Sequence, residues 1–513
     1  MFCALGVLTP VGYIVLRAVI PVPDALAHEQ ISPFDIVFHW RNAQLLLNTV
    51  LLVAGVLAVT VSLAVPAAWL TTCTSLPGRR LFTLLGVLPL VVPGYLMAYT
   101  FRSLGGEIGV ISQLFGIVIP RPSGYFGALL ALSLYNFPYM FLNLRASLRE
   151  LDPALEESAR TLGSTPPAVF THVVLPQLRP AMLTGAFLIG LHVIADFGVV
   201  SIMNFDTFSL ALFQQYGIPN RTASAWLALM VIAMAVIFLA TEALLLRGLR
   251  LDRVGSGTHR MRRRATLGWW TLPAIALLTL LAIVSVGVPV STIAYWSLRC
   301  TWSLTMLQDV RDAIVNSLSG SVPAAIIATA MAMPIAYMAR RYPSKRSFYL
   351  ERVAYLGFAT PPLAFALGLI FVAKYTATVL EYSLVLLVFA YSMHFLAEAV
   401  GPLRNSLYRA SPRIEEAARS LGCNGFTAFW RVTFPVMRNG IVVACALVFL
   451  SCMKELPLTM MLAPHGFHTL AYDVYSYAAD DAMFHEAAPY AVAILLVSTG
   501  LVTVLLMRGR KLV

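Results

Sequence analysis

Twelve apolar stretches recur along the 513 residues of this chain, near 2–20, 45–70, 81–101, 125–144, 181–203, 224–246, 268–296, 314–338, 350–373, 382–402, 439–461 and 487–507. Each is close to or above the roughly 20 residues that a helix needs to cross the ~30 Å hydrocarbon core of a bilayer. Hydrocarbon offers no water to backbone N–H and C=O groups, so stretches of this length are restricted to helices that satisfy their own backbones. The pattern predicts an all-α polytopic membrane protein. Composition agrees: 59% of the residues are hydrophobic and 12% are charged, against about a quarter charged in soluble domains.

The net charge of +12 would raise nucleic acid as a partner for a soluble chain. Here the basic residues fall in short clusters between apolar stretches, so no nucleic acid is expected. Most of the 36 Lys and Arg lie on one side, at 79–80, 145–179, 247–264, 340–352, 404–438 and 508–511. The positive-inside rule makes that side cytoplasmic, and an even number of spans then puts both termini there. The opposite loops, such as 22–35 and 465–488, are more acidic. The N-terminus begins in apolar sequence without a basic leader region, and reads as a retained first span. None of the six cysteines forms a CxxC pair; they read as small packing residues.

The chain repeats itself. Residues 48–70 match 316–338, with Pro66 on Pro334 and Pro93 on Pro361, at an offset of 268. Beyond a short length difference the offset becomes 259, which puts Glu157 on Glu416, Gly163 on Gly422, Pro176 on Pro435 and Asp196 on Glu455. Six spans per half means that both halves cross in the same direction, a parallel repeat about an axis along the membrane normal. The expected organisation is a first half at 1–246, a basic cytoplasmic linker at 247–267 and a second half at 268–513.

In each half the loop after the fourth span carries a polar, helix-prone stretch, "DPALEESARTLG" and "SPRIEEAARSLG". Asp152 with Pro153, and Ser411 with Pro412, suit a helix cap and first turn. Gly163 and Gly422 suit a helix stop. A second short run then ends at Pro176 or Pro435, so each loop is expected to be a helix-turn-helix outside the bilayer. The pattern Glu-x-Ala-x3-Gly-x9-hydrophobic-x-Leu-Pro resembles the "EAA" loop of permease subunits of binding-protein-dependent ATP-binding-cassette (ABC) importers. The first loop, 146–179, supplies Glu157, Ala159, Gly163 and Pro176, with Ser158 where the family usually has Ala. The second, 403–438, supplies Glu416, Ala417, Ala418, Gly422 and Pro435, with Phe434 where Leu is usual.

The resemblance covers essentially the whole chain. It implies a type I ABC importer permease fold in a bacterial inner membrane. It also implies that each short helix docks in a groove of a cytoplasmic ATPase dimer, and that a periplasmic binding protein delivers the substrate. Small Ala residues would allow close approach, and Glu would pair with a basic residue of the partner. A lone copy could be an ordinary interfacial amphipathic helix; two copies with one spacing favour docking. Both halves of a pathway lie in one chain, so one chain per complex is expected.

ATP hydrolysis would need a phosphate-cradling loop ending in Gly-Lys-Ser or Gly-Lys-Thr. The four lysines, Lys345, Lys374, Lys454 and Lys511, follow Ser344, Ala373, Met453 and Arg510, never a glycine. The chain is therefore expected to be a non-enzyme that binds no cofactor, with ATP and Mg used by the separate ATPase subunit. No metal site is assigned.

Asp196 and Glu455 fall inside spans, with Lys454 beside the second. An ionisable group at a helix centre costs at least about 2.5–3.5 kcal/mol. Two readings stand: these residues line the pathway between the halves, or they hold structure together. Pro457 is expected to break its span. The stretches 195–216 and 454–477, with "KELPLT" and "GFHTLA", resemble ferric-iron permeases, which fuse two halves in one chain. Thiamine permeases share that layout, and phosphonate and polyamine importers are relatives. Carboxylates suit a hard cation. His465, His468 and His485 lie on an outer loop and read as solvated or binding-protein contacts, not iron ligands. Outer-side Arg102, Arg221, Arg299 and Arg311 are candidate contacts for acidic patches of a binding protein. An ion-coupled secondary transporter also has twelve spans and buried acids, but needs no paired docking loops.

Overall fold

A computed structural model describes residues 2–19, 38–216, 221–246, 264–342, 344–409, 412–479 and 483–510. Residues 20–37, and residues 247–263 of the expected linker at 247–267, lie outside the described residues. Among the described residues each of the twelve apolar stretches falls largely on helix. The first half runs through α1 (Phe2–Val19), α2 (Trp40–Cys73), α3 (Arg79–Val87), α4 (Gly94–Arg102), α5 (Gly124–Glu150), α6 (Pro153–Thr161), α7 (Arg179–Ala195), α8 (Gly198–Ile202), α9 (Phe208–Tyr216) and α10 (Arg221–Leu246). The second runs through α11 (Thr271–Ala282), α12 (Val288–Arg299), α13 (Leu304–Arg341), α14 (Lys345–Ala359), α15 (Pro362–Thr376), α16 (Leu384–His394), α17 (Leu396–Arg409), α18 (Pro412–Ser420), α19 (Phe434–Met453), α20 (Pro457–Leu462), α21 (Leu470–Ala478) and α22 (Phe484–Arg510).

Among the described residues seven stretches are single helices long and apolar enough to cross a membrane, four more are bent pairs, and α1 is a shorter apolar helix. Helices α2 and α13, with 34 and 38 residues, are roughly 50–57 Å long at 1.5 Å per residue. That exceeds the ~30 Å hydrocarbon core, so their ends project beyond it.

The stretches at 81–101 and 350–373 are not straight spans. The chain turns by 95° between Val91 and Gly94, and by 103° between Ala359 and Pro362. Pro93 and Pro361, repeat equivalents, stand at the two corners. Proline lacks an N–H and drives the residue before it out of the helical region; Val92 and Thr360 are extended, with ψ 117 and 125. The stretches at 181–203 and 439–461 also break, after Ala195 and Met453, and restart as α8 and α20.

Contacts group the chain into two compact units that cut across the sequence halves. One unit holds Met1–Asn42, Phe208–Ala233 and Arg299–Val513; the other holds Ala43–Thr207 and Met234–Leu298. Each half thus lends its first helix to the unit built mainly from the other half. In the first unit α1 packs on α14 and α15. Its approach is close because Gly368 has no side chain: a Cβ there would sit 2.5 Å from the Pro10 carbonyl oxygen. Small residues permit such contact where no hydrophobic force drives helices together in lipid. Arg17 lies over the Tyr375 ring at 4.2 Å, a cation–π contact at the end of α1. In the second unit α11 packs on α3, and α5 on α4 and α7.

Candidate functional site

Both polar loops form the expected helix-turn-helix. In the first, the Asp152 carboxylate accepts from the Ala154 N–H at 2.9 Å and caps α6, with Pro153 in its first turn. The matching position, Ser411, lies outside the described residues. Both helices end alike. Gly163 and Gly422 have φ of 86° and 92°, a region nearly closed to residues with a Cβ. The N–H of the next residue reaches back five positions, Ser164 to Ala159 O and Cys423 to Ala418 O, at 3.1 Å each. This bond spends helix-end carbonyls that would otherwise be orphaned. The following run enters the membrane helix through a π-helical turn, Phe170–Val174 or Phe429–Thr433. Pro176 is half-buried and Pro435 exposed, each in the first turn after it.

The exposed surface of the two motifs matches. Glu157 and Glu416 are exposed, Ala159 and Ala418 are half-buried, and Ala417 is exposed. Leu162 and Leu421, repeat equivalents just before the glycines, are 87% and 86% exposed. Leu155 and Ile414, seven residues earlier, are exposed too. Repeated apolar exposure on a polar helix marks a contact surface. Sequence reasoning passed over these four residues because they read as ordinary helix filler; their recurrence at one offset was the available signal.

The residue before each motif glutamate has a different fate. Glu415 is buried. It accepts from the Tyr337 hydroxyl at 2.5 Å and from Thr433 Oγ1 at 3.0 Å. The Arg341 Nε lies 3.4 Å away, an ion-pair contact without hydrogen-bond alignment. Tyr337 and Arg341 belong to the last turns of α13, so this cluster fastens α18 to a long membrane helix. The first-half counterparts of Tyr337, Arg341 and Thr433 are Trp69, Cys73 and Val174, none a cation or a hydroxyl. One aromatic contact is common to both copies: Trp69 meets Phe170 edge-on at 5.9 Å, as Tyr337 meets Phe429 at 5.3 Å.

The two intramembrane acids stand at the helix breaks. Asp196 Oδ1 accepts from the N–H groups of Val199, at 2.9 Å, and Val200, at 3.4 Å. Glu455 Oε1 accepts from the Leu458 N–H at 3.1 Å. Each therefore caps the short helix that restarts the chain, and both are half-buried. Those short helices pack on the segments beyond the proline corners, α8 on α4 and α20 on α15. Lys454 ends α19. Near it is an acid that the sequence reading missed, Glu398, which accepts from Ser451 Oγ at 2.7 Å. The equivalent first-half positions hold Tyr139 and His192, with rings stacked at 5.1 Å. An acid inside the stretch 382–402 was itself the missed signal.

Among the described residues no three His, Cys, Asp or Glu are close enough to hold a metal ion. His468 Nδ1 lies 2.9 Å from Asp473 Oδ1, and burial pushes the Asp473 carboxyl up against the opposing pull of that histidine. His465 packs edge-on against Tyr382, and His485 is 3.9 Å from Glu486. Arg102 is buried and donates to the Ile202 carbonyl at 2.6 Å, so it braces α8. Arg311 pairs with its neighbour Asp312 at 2.8 Å.

Paired helix-turn-helix loops on a two-fold repeat of membrane helices define a class. The chain belongs to the family of binding-protein-dependent transport system inner membrane components, whose model matches residues 47–251 and again 328–510. It is a multi-pass permease of the ABC importer type. The chain is 32% identical over 469 residues, 90% of both chains, to an Fe(3+)-transport system permease protein of Haemophilus influenzae. It is 24% identical over 425 residues, 75% of this chain and 73% of the other, to a probable ABC transporter permease of Sinorhizobium fredii. Over 191 residues, 35% of this chain and 82% of the other, it is 30% identical to a molybdenum transport system permease protein of Escherichia coli.

Proposed function

We propose that the chain forms the translocation pathway of an ATP-driven importer for ferric iron. A periplasmic binding protein delivers the iron, and a separate cytoplasmic ATPase dimer, which uses ATP and Mg, supplies the energy. The chain itself is non-catalytic and binds no cofactor. The observation that carries this reading is the pair of α6 and α18 motifs, with the same glycine stop and the same exposed Glu and Leu. One chain offers two docking helices, as a two-subunit ATPase requires. Each of the two loops is read as cytoplasmic, in keeping with the basic residues around it.

Iron is favoured over oxyanions because the ferric-transport relative matches across both halves, whereas the molybdenum relative matches over about a third of the chain. Asp196, Glu455 and Lys454 flank the pathway and set its shape through the helix breaks they cap or end. The test is uptake of radiolabelled Fe3+ in cells lacking the chain, with labelled thiamine, sulfate and molybdate as parallel arms. Loss of iron uptake alone supports the assignment; loss of another substrate with iron uptake intact replaces it.

A further inference from the structure

In the second half, Arg404 Nη1 pairs with Glu351 Oε1 at 2.6 Å. The repeat puts Arg145 at the position of Arg404 and Thr83 at that of Glu351. The arginine is kept in the first half, and its carboxylate is not. Arg145 is only 7% exposed. Its guanidinium lies 5.3 Å from the centre of the Phe141 ring, and its Nη1 is buried without a hydrogen-bond partner. A buried cation without a counter-charge is strongly disfavoured. Its charged surroundings make matters worse: Arg149 and Arg79 act on Arg145, and Arg264, Arg80 and Arg149 act on Arg79, with no carboxylate among them.

Arg264 is held there by backbone pairing. The Ala265 N–H donates to Cys73 O, and the Ser75 N–H to Ala265 O, both at 3.0 Å. Phe141, under the Arg145 guanidinium, also lines a narrow crevice of about 10 Å3 between α3, α5 and α11, walled by Phe82, Gly86, Leu278 and Leu281; on the same helices Leu81, Leu84, Leu277 and Leu280 are exposed apolar residues. Trp269 and Trp270, just beyond Arg264, are exposed, as aromatic residues at a membrane–water interface are.

We propose that Arg145, Arg79 and Arg149, with Arg264 beside them, bind the phosphate of an acidic phospholipid headgroup, whose acyl chain lies along the exposed apolar residues of α3 and α11. The ligand supplies from outside the negative charge that Glu351 supplies within the second half. Those apolar residues select lipid over free phosphate, which has no apolar part to cover them. Basic pockets between membrane helices recognise such headgroups. This inference needs the chain to be membrane-embedded, not that it carries iron.

The test uses the full-length chain purified in detergent. Native mass spectrometry and thermal unfolding are read with phosphatidylglycerol, phosphatidylcholine or inorganic phosphate added. Phosphatidylglycerol is expected to bind and to raise the unfolding temperature, phosphatidylcholine and phosphate not. Arg149→Gln, an exposed change that leaves the core intact, is expected to weaken phosphatidylglycerol binding about fivefold, since each arginine contributes about that factor. Thr83→Glu, which restores the internal carboxylate, is expected to abolish the preference and to stabilise the lipid-free chain. Equal stabilisation by inorganic phosphate would overturn the lipid assignment in favour of a free anion. Equal phosphatidylglycerol binding by the wild type, Arg149→Gln and Thr83→Glu would overturn the site.

Discussion

Glu415 accepts a hydrogen bond from the Tyr337 hydroxyl at 2.5 Å, and this contact joins α18 to the end of the 38-residue helix α13. Motion imposed on α18 therefore has a rigid polar route into α13. Breaking a buried ion pair by removing one partner costs on the order of 3–5 kcal/mol, enough to free a nine-residue helix. Glu415→Ala is expected to leave the ATPase bound yet detach its hydrolysis from the binding protein, so that basal activity rises while uptake falls. Glu415→Gln, whose amide can accept from one hydroxyl and donate to the other, is expected to retain most of the coupling. Equal coupling in Glu415→Ala and wild type would refute the route.

In the first copy Trp69, Cys73 and Val174 stand at the positions of Tyr337, Arg341 and Thr433, and Glu156 is half-buried where Glu415 is buried, so its removal disturbs a less enclosed site. Glu156→Ala is expected to change coupling by less than Glu415→Ala in the same assay. A larger effect at Glu156 would reverse the assignment of the two halves.

Gly163 and Gly422 act through backbone conformation, because a Cβ at either would meet open space. An alanine there adopts the left-handed region at a cost of roughly 1–2 kcal/mol. Each Gly→Ala change is expected to unravel its helix end and to lower ATPase affinity, with little effect on the unfolding temperature of the isolated chain. Hydrogen exchange at 159–164 and 418–423 measures this directly.

Asp196 and Glu455 can be separated into cap and charge. Asn caps a helix about as well as Asp, whereas Ala at such a position costs about 1 kcal/mol. If capping is their whole role, Asp196→Asn is expected to transport normally and Asp196→Ala to be impaired. If the charge acts on the substrate, both are impaired alike. The assay is iron uptake at matched amounts of membrane-inserted protein.

The spans were legible in the sequence because burial in lipid demands an unbroken apolar run. The helix-turn-helix loops were legible because a cap, a glycine and a proline recur at one spacing. The right-angle corners were not. Pro66, Pro138, Pro323, Pro334, Pro402 and Pro489 all sit inside continuous helices, so a proline does not say by itself which helix it breaks. At Pro93 and Pro361 the outcome depends on α8 and α20, which pack on the segments beyond the corners. The exchange of first helices was equally hidden, since nothing local in Gly6 or Gly368 names Met393 or Pro10 as a neighbour. Glu415 and Glu416 look alike in sequence, yet one helical step of about 100° separates a buried anchor from an exposed contact.

The most direct test of the central claim is ATP-driven accumulation of radiolabelled Fe3+ in vesicles holding the chain, its ATPase and the binding protein. Wild type is expected to accumulate iron only when all three and ATP are present. The double variant Glu157→Lys, Glu416→Lys is expected to lose both ATPase binding and accumulation. Undiminished accumulation by that variant, or accumulation without the ATPase, would contradict the account.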